Sequence, residues 1–162
     1  LKLIFIRHGV ALGHFLQDPK LDFERPLTDE GCEKFRILMS KLNSVEKKID
    51  AIFSSPLIRA VQSAEILWTL YKEASLEMLA DLDILDDPSH LVKEISLLPP
   101  EGIYAFVGHD PHLTRVISSL LELHPEHDFM KLKKGGVCIL EGGMWQGFRL
   151  KSLLTPKILS SL

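Results

Sequence analysis

Cysteine is scarce in this chain: Cys32 and Cys138 are the only two in 162 residues. They are too few and too far apart to form a disulfide framework, so two reduced, largely buried thiols are expected. Long apolar runs are missing as well. The longest, Leu1–Ile6 and Ile103–Val107, are strand-sized and fall far short of the ~18 residues that span a bilayer. Positive charge is not in excess, since 19 Lys and Arg against 22 Asp and Glu leave a net charge of −3. That argues against nucleic acid as a partner, because its binders carry a strongly basic face. Aromatic residues make up 7% of the chain. No basic-aromatic alternation surrounds Trp68 or Trp145, so both are read as packing residues rather than base-stacking platforms. A strand-like stretch runs directly into Arg7-His8-Gly9 with no signal-peptide pattern before it, and a cytoplasmic location is expected. Neither an internal repeat nor a linker is evident. The length fits one domain, 1–162, at the usual size of about 150 residues. A chain that is 46% hydrophobic needs no disulfide or structural metal to build its core.

What is present is an alternation of short apolar runs with helical patterns, the mark of an α/β domain. Leu1–Ile6 reads as a buried strand, and 11–26 as a long polar loop of the kind that is often functional. A helix begins near Thr28 or Asp29, with Phe35, Leu38, Met39 and Leu42 on one face. Ala51-Ile52-Phe53 is a second strand, and Ser55-Pro56 reads as the cap and first turn of a helix reaching about Tyr71. A weak strand near Leu76–Leu79 precedes an acidic loop, and Asp87-Pro88 opens a short helix. Ile103–Val107 is the cleanest central strand, followed by a helix that buries Val116, Ile117 and Leu120. Gly142-Gly143 reads as a hairpin turn, and Thr155-Pro156 as the start of a terminal helix. The expected architecture is a three-layer α/β/α sandwich, its central sheet mostly parallel with an antiparallel edge.

Three strand-to-helix turns carry cationic residues: Arg7-His8-Gly9, Arg59 and His109. In open α/β sheets ligands gather beyond the carboxyl ends of the strands. Guanidinium forks suit the oxygens of a tetrahedral anion, and an imidazole can act as a nucleophile that forms a covalent intermediate. Phosphoryl transfer asks mainly for positioning and charge neutralisation. A side-chain-free Gly9 would let the backbone turn close to such an anion.

These residues also resemble a known family. Ile6-Arg7-His8-Gly9, then Ser54-Ser55-Pro56-Leu57-Ile58-Arg59-Ala60 with Gln62-Ser63-Ala64, then Val107-Gly108-His109 resemble the blocks of the histidine phosphatase superfamily, the phosphoglycerate mutase-like group. Glu24-Arg25-Pro26-Leu27-Thr28-Asp29-Glu30-Gly31 narrows the likeness to SixA-type phosphohistidine phosphatases. The resemblance runs from Leu1 to about Leu121. It implies that His8 is the nucleophile and that Arg7, Arg59 and His109 bind the transferring phosphoryl group. By the same resemblance Gly9 and Arg25 lie at the phosphate. It implies no cofactor and a phosphohistidine-containing protein as partner (a phosphotransfer domain or a phosphocarrier would each fit), while charge and apolar runs point to no nucleic acid and no membrane.

Two departures stand out against that family. Val10 follows the first glycine where many relatives have an acidic or small polar residue. The glutamate acid that larger members place after the third strand has Asp81 as its nearest match, so Asp81 is the candidate general acid. A weak acid tilts the reading towards phosphoramidates, whose imidazole leaving group needs less protonation than an alkoxide. Two alternatives remain open: a small-molecule phosphomonoesterase of the same superfamily, and a non-catalytic phosphate- or phosphoprotein-binding module. The pairs His109/His112 and His124/His127 lack the further ligands of a metal set. Lys131, Lys133 and Lys134 read as a solvated edge, and His14 as a loop residue. His8 is expected neutral for attack, and His109 protonated for stabilising phosphoryl oxygens.

Overall fold

Side chains along the first strand, β1 (Lys2–Arg7), alternate between two separate cores. Ile4 and Ile6 join one, and Leu3 and Phe5 the other. A strand buried on both faces must lie inside a sheet covered on both sides. In the computed structural model, which describes residues 1–13, 18–123 and 129–162, β1 occupies that position. The other strands are β2 (Ala51–Ser54), β3 (Ser75–Met78), β4 (Ile103–Gly108), β5 (Val137–Gly143) and β6 (Gly147–Leu154). They hydrogen-bond in the order β3-β2-β4-β1-β5-β6. The four from β3 to β1 run parallel, while β5 and β6 add an antiparallel edge.

Helices cover both faces. α2 (Asp29–Val45), α3 (Ile58–Trp68) and α6 (Pro156–Ser160) pack on the Ile4/Ile6 side, and α4 (Pro88–Ser96) and α5 (His112–Leu120) on the other. The three layers are those expected. α2 starts where its chemistry directs: the Thr28 hydroxyl accepts from Gly31 N at 2.8 Å, and Asp29 and Glu30 occupy the positive first turn. Its stripe of Phe35, Leu38, Met39 and Leu42 is buried, worth ~2 kcal/mol per side chain. No helix among the described residues is long and apolar enough to cross a membrane. Both cysteines are free; Cys32 is half-buried and Cys138 lies in the sheet, where burial pushes its thiol up to about 12.

Four local readings are corrected. The polar stretch 11–26 contains a short helix, α1 (Pro19–Glu24), capped by the Asp18 carboxylate on Lys20 N at 2.9 Å. Gly142-Gly143 is not the hairpin turn, because these residues end β5 by pairing with Phe148 and Gly147. The connection is Met144-Trp145-Gln146, closed by Gly147 at φ +74°, the left-handed residue that a three-residue loop requires. Trp145 stands fully exposed at its tip, while Trp68 packs as expected and donates to Ala74 O at 3.0 Å. Finally, α3 begins at Ile58, and Ser55 does not cap it. The readings of His14, His124 and His127 lie outside the described residues.

Candidate active site

Sheet order brings the cationic turns together. β2, β4 and β1 are neighbours, with Arg7 level with Gly108 and Ser54 with Val107. The ladder continues one step past the strand ends, through His8 N to Gly108 O at 3.0 Å and Ser55 N to Val107 O at 2.9 Å. Residues about 50 apart in sequence thus share one sheet end. On the far side, the turn before β5 is strapped to β1, since Gly135 N donates to Arg7 O at 2.9 Å.

His8 is buried, and its Nδ1 lies 2.7 Å from Gly9 O. A carbonyl only accepts, so Nδ1 carries the proton and Nε2 keeps its lone pair. Burial pushes the ring's pKa down to about 3; the Gly9 carbonyl opposes this, and the charges of Arg59, Arg7 and Lys134 add to it. The ring is thus kept neutral, with its Nε2 lone pair free. Gly9 is held from below: its N–H donates to Ser63 Oγ at 3.0 Å, and that hydroxyl donates to Arg59 O at 2.7 Å. A Cβ on Gly9 would meet Phe35 Cβ at 3.2 Å. Its missing side chain therefore serves packing against α2.

His109 lies across from His8, ring centres 5.0 Å apart. The Ser55 hydroxyl sits 2.8 Å from His109 Nε2 and accepts from Leu57 N at 3.3 Å. Donating its one proton to Nε2 satisfies both groups and leaves Nδ1–H as the free donor of His109. Burial, then the neighbouring charges of His8, Arg59, His112 and Arg7, push His109 down to about 2. Without an anion beside it the ring is neutral yet still presents an N–H; the protonated form is the one expected with phosphate bound.

Both depressed histidines have a consequence for stability. An unfolded histidine takes up its proton near pH 6.5, whereas these stay neutral in the folded protein down to about 3 and about 2. Below pH 6.5 the unfolded state binds more protons, so the stability they contribute is full above that pH and is lost as pH falls. The expected slope is about 1.4 kcal/mol per pH unit for each. Thermal unfolding between pH 8 and 4 should show the melting temperature dropping from about pH 6.5, and a profile flat down to pH 5 contradicts it.

Arg59 is 2% exposed, on the first turn of α3. Its Nη1 donates to Asp22 O at 2.7 Å and its Nη2 to Asp22 Oδ2 at 3.1 Å. Arg7 Nη1 donates to Leu132 O at 2.8 Å and lies 3.9 Å from Asp110 Oδ2. Arg7 Nε, Arg59 Nε and His109 Nδ1 are buried without a hydrogen-bond partner. Orphaned buried donors are costly, and three from three different strand ends are what a tetrahedral oxyanion would satisfy. Arg25 is buried too, but its donors are engaged: Nε to Asp22 Oδ1 at 3.1 Å and Nη1 to Leu12 O at 2.8 Å.

Asp81 falls in the short 3₁₀ turn Ala80–Leu82, where its carboxylate clusters with Asp86 and His90, ligand-type atoms within 4.8 Å of one another. Asp86 and His90 are already hydrogen-bonded at 3.0 Å. The acidic residue of this loop whose charge reaches Arg59 is Asp83. His109 turns its Nε2 to Ser55, while both ring nitrogens of His112 are buried without a hydrogen-bond partner. Sequence reasoning passed over Ser55, Ser63 and Lys134 as site residues. Lys134 precedes the Gly135 strap, and its pKa is lowered by burial and by the charges of Arg7, Arg25 and Arg59. The spacing of Ser63 one helical turn after Arg59 was the available signal.

Known proteins share this fold and part of this sequence. The model of the histidine phosphatase superfamily (branch 1) matches residues 3–83. Phosphohistidine phosphatase SixA of Escherichia coli (strain K12) is 27% identical over 123 residues, 74% of this chain and 74% of that protein. Among solved structures, the protein histidine phosphatase SixA complexed with tungstate superposes with a TM-score of 0.83 at 22% identity, covering 98% of this chain and 99% of that one. A phosphoserine phosphatase of Entamoeba histolytica in complex with 3-phosphoglyceric acid gives 0.75 at 18% identity, covering 98% of each. The fold is phosphoglycerate mutase-like.

Proposed function

The chain belongs to the histidine phosphatase superfamily, branch 1, and from that premise we propose that it removes phosphate from phosphohistidine of a protein through a phospho-His8 intermediate. The lone pair on His8 Nε2 attacks phosphorus as the P–N bond of the substrate breaks, and the departing imidazole nitrogen takes a proton from solvent. Arg7 and Arg59 neutralise the phosphoryl oxygens, and His109 Nδ1–H donates to one of them. Water then attacks phosphorus, the bond to Nε2 breaks, and inorganic phosphate leaves with His8 neutral again.

One observation carries the choice of a P–N substrate. The carboxylate that clasps Arg59, Asp22, is held ionised: burial raises its pKa, but Arg59 and Arg25 outweigh that and keep it below the usual range. It cannot supply a proton near neutrality. Imidazole, with a pKa near 6.5, leaves with far less protonic help than an alkoxide. A protein substrate is supported by exposed apolar side chains beside the site, Val10 and Leu12 just after Gly9 and Leu21 and Phe23 flanking Asp22.

The test is phosphate release from several phosphohistidine proteins, among them phosphotransfer domains and phosphocarriers, beside common phosphate esters. A preference for phosphohistidine of about 10²-fold or more is expected, unchanged by metal chelators, since an imidazole leaving group gains more from this site than an alkoxide does. Ester preference by orders of magnitude overturns the substrate. Absence of turnover on every compound marks a binding module instead.

A further inference from the structure

Asp22 touches the site in a way that family and fold leave unexplained. A guanidinium offers two bidentate edges, one spanning both terminal nitrogens and one spanning Nε and Nη2. On Arg59 the terminal edge is taken entirely by Asp22, through its backbone oxygen at 2.7 Å and Oδ2 at 3.1 Å. The Nε of the other edge is buried and unpartnered. On Arg25 the assignment is reversed, since Nε and Nη2 both reach Asp22 Oδ1, at 3.1 and 3.0 Å. One carboxylate therefore joins two buried guanidinia, one oxygen to each, while its own side chain stays 27% exposed.

We propose that Asp22 is the internal counter-ion of Arg59 and Arg25: it fixes which edge of Arg59 faces the phosphoryl group, and its charge limits how tightly phosphate is held. The proposal rests on the phosphatase reading of the same site. Arg7, Arg59, Arg25 and Lys134 crowd positive charge around His8. Such a field binds the product dianion as readily as the transition state, and uniform binding of that kind slows turnover. A fixed carboxylate offsets the field for every anion equally. The edge it imposes on Arg59 favours only the phosphoryl group in transfer. Asp22 is thus a positioning residue, acting through Arg59 and Arg25.

Two variants separate charge from position. Asp22→Asn removes the charge, so inorganic phosphate should bind about tenfold more tightly by calorimetry, the size of one charge-assisted contact. Its kcat on the phosphorylated substrate should fall about tenfold or more. Asp22→Glu keeps the charge and displaces it, so phosphate affinity should stay within about twofold of wild type while kcat falls. Tighter phosphate binding is a property of folded protein, so misfolding cannot imitate it. The phosphate measurement needs no turnover and stands even where phosphohistidine proves the wrong substrate. Unchanged or weaker phosphate binding in Asp22→Asn overturns the proposal, as does an Asp22→Glu protein that matches Asp22→Asn in binding.

Discussion

His8→Ala protein, given a labelled phosphoramidate and quenched at once, should carry no acid-labile phosphate, and its turnover should fall by about 10⁴-fold or more, the scale of deleting a nucleophile. The wild type should carry the label on His8 alone. The expectation follows from one contact. Gly9 O fixes the proton on Nδ1, so the lone pair at Nε2 is available at neutral pH, and no proton must be removed before attack. His109 cannot stand in for it, because Ser55 occupies its Nε2 and its Nδ1 bears the proton. Label on His109 in the wild type, or label retained in His8→Ala, means that the roles are reversed. Thermal unfolding of the variant controls for folding. Alanine there removes a ring that is buried, so a modest loss of stability is expected beside a complete loss of label.

Arg59→Lys should lower kcat/KM by about 10³-fold, within the range found for transition-state arginines. The charge is conserved and the residue sits on the same helical turn, so the loss isolates geometry. Arg59 gives its terminal edge to Asp22 and keeps its buried Nε without a partner, the donor the proposal assigns to the phosphoryl group. An ammonium is a point charge without that fork. A lysine that reaches Asp22 must abandon the phosphoryl group, and one that reaches the phosphoryl group releases α1. Trapping should show His8 still labelled but slowly, which distinguishes this variant from His8→Ala. A loss below tenfold would show that charge alone suffices at this position.

The parts of this structure legible from sequence are those whose cause is local. β1 and β4 announce themselves as continuous apolar runs because both their faces are buried, and α2 carries its cap and stripe within 15 residues of Thr28. α1 was missed because six residues are too few for a period; what holds it is the grip of Arg59, 37 positions away, on Asp22. Ser55 followed by proline looks like a cap at any position, and only the neighbouring strand reveals that its hydroxyl belongs to His109. The same holds for the site. Residue types at strand ends pointed to a phosphoryl group, but the adjacency of β2, β4 and β1 is a fact of sheet order. Arg25 was legible as a buried-site candidate, yet its engagement with Asp22 and Leu12 depends on where the loop folds back.

Sheet order also sets a timetable for the growing chain. β1 precedes both its partners, β4 and β5, in the chain, and β4 stands between it and β2. A nascent chain ending at residue 83, where the family match stops, would own three strands of which β1 has no neighbour. Such long-range pairing folds slowly and leaves an apolar strand without partners in the meantime. On the ribosome, His8 emerges well before Gly108 and Gly135, whose hydrogen bonds hold it in place. The proposed nucleophile is therefore made long before the residues that hold it, so a chain that stops short of β4 carries His8 outside any finished site.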